Sequence, residues 1–270
     1  MRSGTRGAMT PASSRRAKAL MLVCTGLSSV VGDSSADVLT DTLASMAPNS
    51  WQRINLNQIQ EVWTPLDQRP TTATPESNIS SWSGAAWDHT RKNLMIWGGD
   101  QGWDQASEEG NEFYIFRAST GLWERGSLPS RITYTNGIKH AVDGIFNAPV
   151  SGESWDNVVY LENVDRVAVI AVSADGITFQ NLNGGATGPY FWDPTKAAPN
   201  KVSGTTGSQV NPTAFPNVVG GQMWQNRDNF PQDTGLGLQG VTAYANKGGQ
   251  DVVYFSGQHD FLWRYTVRDL

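Results

Sequence analysis

Cysteine is nearly absent from this 270-residue chain: there is one, Cys24, and only three histidines, His89, His140 and His259. A single cysteine excludes an intrachain disulfide framework. No two of the histidines have the close spacing of a metal-binding pair, so neither a metal site nor a cofactor is expected. Charged residues are sparse, at 17%, with a net charge of −5. No apolar run reaches the roughly 20 residues that a membrane-spanning helix needs. Helical periodicity is also scarce, and only Asp37–Met46 reads as a short helix, within a linker covering residues 37–50. The chain is instead rich in glycine (28), proline (13) and tryptophan (11). The glycines and prolines fall mostly between short apolar runs, which is turn chemistry in an all-β protein.

Residues 1–36 have the order of a signal peptide. Arg15, Arg16 and Lys18 form a basic region, Ala19–Val31 is apolar, and Ser34-Ser35-Ala36 supplies small residues for cleavage. Ser14-Arg15-Arg16 resembles a twin-arginine export signal, although the apolar residues expected just after it are missing. Val23 beside Cys24 makes a poor lipidation motif. Cleavage there removes five basic residues and one acid, Asp33, which moves the net charge from −5 to −9, and it removes Cys24 as well. A periplasmic or secreted protein without thiol chemistry is expected. Its acidic surface argues against nucleic acid as a partner.

Short strand patterns recur in three places over residues 51–270. The first unit reads SGAAWD (Ser83–Asp88), NLMIWGG (Asn93–Gly99), NEFYIF (Asn111–Phe116) and LWERGSLP (Leu122–Pro129). The second reads SWDNVVYL (Ser154–Leu161), RVAVIAV (Arg166–Val172) and GPYFWDP (Gly188–Pro194). The third reads VTAYAN (Val241–Asn246), QDVVYFSG (Gln250–Gly257) and DFLWRYTV (Asp260–Val267). Antiparallel meanders of this kind bury each sheet face on a neighbour, as blades do.

The first unit resembles a kelch repeat of the galactose oxidase/kelch-type β-propeller group. The resemblance rests on Asp88 before the turn, Gly98-Gly99 closing the second strand, Tyr114 in the third and Trp123 opening the fourth. It implies four-stranded blades, with glycines letting strand two pack close to the crowded centre. The second unit departs from the pattern, with Ala171-Val172-Ser173 in place of the glycine pair. Three units fall short of the roughly 4–8 blades of a closed propeller. Ile59–Leu66 reads as an orphan fourth strand, so the chain is either a small ring closed by that strand or an incomplete propeller. A second copy of the chain is one way to complete it. Ser173–Phe179, SADGITF, resembles the Asp-box turn of sialidase-type propellers, which is structural in its own family.

In up-and-down blades the second–third loops and the inter-blade connections share one face. That rule sends 67–82, 100–110, 130–152, 173–187 and much of 196–240 to the same side, where a binding surface is expected. Three loop clusters carry candidate ligand-binding residues. They are Trp103 and Asp104 beside Glu108 and Glu109, then Tyr134 and His140 near Arg131 and Lys139, then Trp224 and Arg227 beside Asp228. A tryptophan beside carboxylates suits a stacked sugar ring, although the acidic spacing matches no calcium loop. Solvated loops and internal salt bridges explain the same residues without a ligand. No catalytic residue is assigned.

The expected function is therefore an exported, non-catalytic binding or scaffold module for a glycan or a protein. The alternative is a carbohydrate-active enzyme, a glycoside hydrolase or lyase, which would need converging carboxylates such as Asp104, Glu108 or Asp228, or a Tyr/Glu nucleophile beside arginine. A galactose-oxidase-like oxidoreductase is a further alternative. The resemblance would then require copper held by Tyr and His and a Tyr–Cys crosslink. Cys24 lies in the export segment, and no copper ligand set maps onto this chain.

Overall fold

Residues at alternate positions of the first two strands turn inward, which is what an antiparallel sheet with one face on a core requires. The computed structural model describes residues 37–70, 83–99, 110–135, 138–144, 147–170, 173–174, 177–178, 189–205, 209–227, 240–256 and 261–268. These all belong to one compact unit, Ser35–Leu270. Among them, no helix is long and apolar enough to cross a membrane.

Helix α1 (Val38–Ser45) is capped by Asp37, whose carboxylate accepts from the backbone N–H groups of Leu39 and Thr40. The first sheet is a meander of β1 (Gly84–Asp88), β2 (Asn93–Trp97), β3 (Tyr114–Arg117) and β4 (Leu122–Arg125). A hairpin follows, β5 (Ile132–Thr135) with β6 (Ile138–Ala141). The second sheet begins with β7 (Val158–Leu161) and β8 (Arg166–Val169). After the small pair β9 (Ser173–Ala174) and β10 (Ile177–Thr178), it is completed by β11 (Tyr190–Trp192) and β12 (Trp224–Asn226). The third sheet has three strands, β13 (Val241–Asn246), β14 (Asp251–Ser256) and β15 (Leu262–Thr266). Every named strand pair is antiparallel and every sheet runs in chain order, so among the described residues the protein is all-β with one short α-helix.

The three large sheets stack face to face, with the first strand of the second sheet lying between the first strands of the other two. Met95, Trp97, Phe113 and Ile115 of the first sheet meet Val158, Tyr160, Val167 and Trp192 of the second in one core. On the opposite face, Val159, Leu161 and Phe191 meet Val253 and Phe255 of the third. All four residues of β7 are buried, as a strand covered on both faces must be. Trp192 is fully buried with its ring 4.4 Å from that of Phe113. Burying a side chain of that size stabilises the fold by about 2–3 kcal/mol.

Polar ties join neighbouring sheets at the end where the four-residue turns lie. Asp88 accepts from the N–H groups of Thr90 and Arg91, both at 2.9 Å, and from the Arg91 guanidinium at 2.8 Å. Arg91 also reaches Asp165 in the turn of the second sheet, at 2.8 and 2.5 Å. That bidentate contact raises the pKa of Arg91 and lowers that of Asp165. Burial pushes the Tyr160 hydroxyl, which donates to Asp165, up to about 12. The second turn is fastened to the third sheet by Asp251. Its carboxylate accepts from the N–H groups of Asn163 and Val164, from the Asn163 amide and from the Tyr244 hydroxyl.

Two readings of the sequence are corrected. Ile59–Val62 is a 3-10 turn that lies against β4 and forms no strand with the last sheet; a second such turn follows at Leu66–Gln68. Asn57 acts there as a substitute strand partner, accepting from the Trp123 N–H at 2.7 Å and donating to the Trp123 carbonyl at 3.0 Å. The outer edge of the first sheet is thereby covered. The second correction concerns residues 196–223. They form an insertion between β11 and β12, the third and fourth strands of the second sheet, so they leave from the turn end. Asp193, at the start of the insertion, is paired at 3.0 Å with Arg166, the residue that follows the β7–β8 turn.

Candidate functional site: the end of the long connections

The opposite end of the stack carries the connections 98–113, 126–157, 170–189 and 227–240. Its described base is rigid and polar. Asn111, fully buried, accepts from the Ser130 N–H at 2.8 Å and the Ser203 hydroxyl at 2.6 Å, and donates to the Pro149 carbonyl at 2.9 Å. One side chain thus joins three separate connections, 98–113, 126–157 and the insertion at 196–223. Ser154 does similar work at the start of the first strands, accepting from the Gly84 N–H at 2.6 Å and donating to the Trp97 carbonyl at 2.9 Å. The chain passes so closely here that a Cβ on Gly98, whose φ is +75°, would lie 2.6 Å from the Gly152 carbonyl and 2.5 Å from the Ser154 hydroxyl. Only glycine suits that position.

Polar capacity is left over at this end. Asn157 is 1% exposed, and neither its amide nitrogen nor its amide oxygen has a hydrogen-bond partner. The buried hydroxyls of Ser127 and Ser151 are also unpartnered. Buried polar atoms are normally paired, so such a group marks a place where water or a ligand group can bind. Next to Asn157, burial raises the pKa of Asp156.

The predicted site residues are distributed unevenly. Trp103 and Asp104 lie outside the described residues, as do Glu108, Glu109 and Asp228. Tyr134 sits on β5 and is 56% exposed. His140 sits on β6, half-buried, with Nδ1 2.9 Å from the Ala141 carbonyl. The register pairs Tyr134 with Lys139 and Thr133 with His140, so Tyr134 and His140 occupy opposite faces of the ribbon. Trp224 is 8% exposed and packs against Trp97, Phe113 and Tyr190 in the core between the first two sheets. Arg227 stands on the other face of the same sheet, 5.7 Å from the centre of the Phe191 ring. Trp224 and Arg227 therefore do not converge, and the Trp224 ring presents no open platform to solvent.

One polar cluster was not singled out in the sequence. Thr64 donates to Glu112 at 2.6 Å and Tyr114 donates to the same oxygen at 3.0 Å. Nearby, Arg125 donates to the carbonyls of Val62, Trp63 and Pro199. An open cleft of about 280 Å³ beside it is lined by Glu61, Val62, Glu124, Arg125 and Pro199. A Tyr–Glu pair near an arginine is the arrangement some glycosidases use, but Thr64, Glu112 and Tyr114 are all buried. Burial also holds the Tyr114 phenol well above its ordinary pKa, opposite to what a nucleophile needs. The cluster fastens the N-terminal segment to the first sheet. Its signal in the sequence was Glu112 and Tyr114 two residues apart, hence on one face of a strand.

No family model matches this sequence, and no curated protein matches it.

Proposed function

We propose that this chain is an exported kelch-like propeller module that binds a glycan or a protein through the end carrying its long connections. In this reading residues 1–36 are the signal peptide, residues 51–270 form the blades, and the mature protein acts in the periplasm or outside the cell. The carrying observation is the pairing of a rigid, fully bonded base around Asn111 and Ser154 with unpartnered buried polar atoms at Asn157 and Ser151. Loops held on such a base are where recognition is usually built. Trp103, Asp104, Tyr134 and His140 are the proposed contacts.

The test is a glycan array together with a pull-down of envelope proteins, run beside an assay for released sugar. Saturable binding without sugar release supports a binding module. Release of sugar that disappears in Asp104→Ala would replace it with the carbohydrate-active reading. A second reading as a hydrolase acting through Glu112 and Tyr114 is opposed by their burial, and it predicts loss of release in Tyr114→Phe.

A further inference from the structure

We infer that Trp155 is the aromatic platform of the long-connection end and receives the ring of a neutral sugar, with Glu153 and Asp156 accepting from its hydroxyls. The inference rests on reading this end as the recognition surface. Ser154 to Asn157 form a tight turn, closed by the Asn157 N–H donating to the Ser154 carbonyl at 2.9 Å. Trp155 occupies the first corner of that turn with φ +47°. Glycine, asparagine and aspartate dominate corners of that hand, because a bulky side chain crowds its own backbone there. A tryptophan persists in such a place only where its surroundings fix it. Here all three large sheets do so. The Ser154 hydroxyl is bonded to the Gly84 N–H and the Trp97 carbonyl of the first sheet. The Asn157 carbonyl accepts at 2.9 Å from the N–H of Ile170, directly after β8 of the second. The Asp156 carbonyl accepts from Thr242 on β13 of the third, from its N–H at 3.0 Å and from its hydroxyl.

The indole is thus held where the three sheets meet, half-buried and outside both buried clusters. Its Nε1–H donates to the Glu153 carboxylate at 3.3 Å, which orients the ring. That is the only donor an indole has, so the ring surface is what it can offer a ligand. A pyranose fits such a group, its C–H face lying on the ring and its hydroxyls donating to the neighbouring carboxylates. The stretch Asn147–Leu161 contains Glu153 and Asp156 but no lysine or arginine, so an acidic sugar is disfavoured. Asn157 is an independent sign of a ligand. Its buried amide lacks both a donor and an acceptor partner, and a Cβ on Gly240 would lie 3.1 Å from the amide oxygen. A hydroxyl, or a water bonded to one, supplies both.

The test is calorimetric titration of the full chain with neutral hexasaccharides of glucose, mannose and galactose, and with hexagalacturonate as the acidic counterpart. At least one neutral sugar should bind, with hexagalacturonate weaker by about tenfold or more. Trp155→Gly, which suits the left-handed corner, should weaken that binding on the order of 30-fold while Tm stays within about 3 °C of the parent. Trp155→Tyr keeps a ring and should lose only about threefold. Asp156→Asn, at an exposed position that does not endanger folding, should lose about fivefold. Unchanged binding in Trp155→Gly, a preference for hexagalacturonate, or a fall in Tm beyond about 10 °C in Trp155→Gly would each overturn the inference. A parent that binds none of these sugars but captures an envelope protein would overturn the sugar platform and leave the proposed function standing. A parent that binds neither would overturn both.

Discussion

Replacing Asp251 with alanine tests the junction between the second and third sheets. Asp251 is 1% exposed and accepts from the N–H groups of Asn163 and Val164, at 3.1 and 2.9 Å, and from the Tyr244 hydroxyl at 2.7 Å. Alanine leaves two backbone donors, the Asn163 amide and one phenol without their acceptor. A buried orphaned donor costs about 1–3 kcal/mol. Asn163 is exposed and Val164 half-exposed, so water recovers part of that loss. The expected destabilisation is about 2–4 kcal/mol. For a folded unit of this size that lowers Tm by on the order of 10 °C. Asp251→Asn keeps one acceptor oxygen and should lose about half as much. Urea denaturation of the three proteins measures the difference. Tyr244 gives an independent readout: burial and, after it, the Asp251 carboxylate raise its pKa, so the alanine variant should ionise at lower pH in an absorbance titration. Stability within about 0.5 kcal/mol of the parent would refute the idea that this carboxylate joins the sheets.

Gly98→Ala forces a side chain into a left-handed backbone position and against the Gly152 carbonyl, so it should destabilise by about 2–4 kcal/mol in the same denaturation assay. Asp165, held below the ordinary carboxylate range by Arg91, contributes stability that is present above about pH 3.9, the unfolded value. That stability is lost as pH falls through the lower folded value, so Asp165→Asn should flatten the acid limb of a stability–pH profile. Asn57→Ala removes the substitute partner of β4 and should cost about 1–2 kcal/mol, with faster amide exchange at Trp123.

Much of the fold was legible because alternation and turn residues coincide. The runs at Ser83–Asp88, Asn93–Gly99 and Val241–Asn246 each contain a strand, and Asp88 closes a turn through its own carboxylate. The fourth strand of the second sheet was not legible. It is only Trp224–Asn226, and the insertion before it carries its own short bridges, Leu128 to Val202 and Val202 to Gly220. Ile59–Leu66 misled for a different reason. Its apolar residues serve contacts with β4, while Gln58 and Glu61 cap a 3-10 turn that strand periodicity does not reveal. The hairpin at Ile132–Ala141 lay inside what read as one long loop, although its β-branched residues carried the signal. For the site, sequence spacing placed Trp224 beside Arg227, but period-two geometry sends them to opposite faces of the sheet. The base residues Asn111, Ser154 and Asn157 gave no signal, because their roles depend on connections far apart in sequence.

The most direct test of the central claim compares the two ends of the stack for glycan-array hits. Trp103→Ala, Asp104→Ala and Tyr134→Ala change the proposed contacts, while His89→Ala and Lys247→Ala alter the turn end, and Kd is measured for each. The account predicts at least a tenfold loss of affinity for the first group, about 1.4 kcal/mol, with the second group unchanged. Equal losses at both ends, or losses confined to the turns, would contradict it.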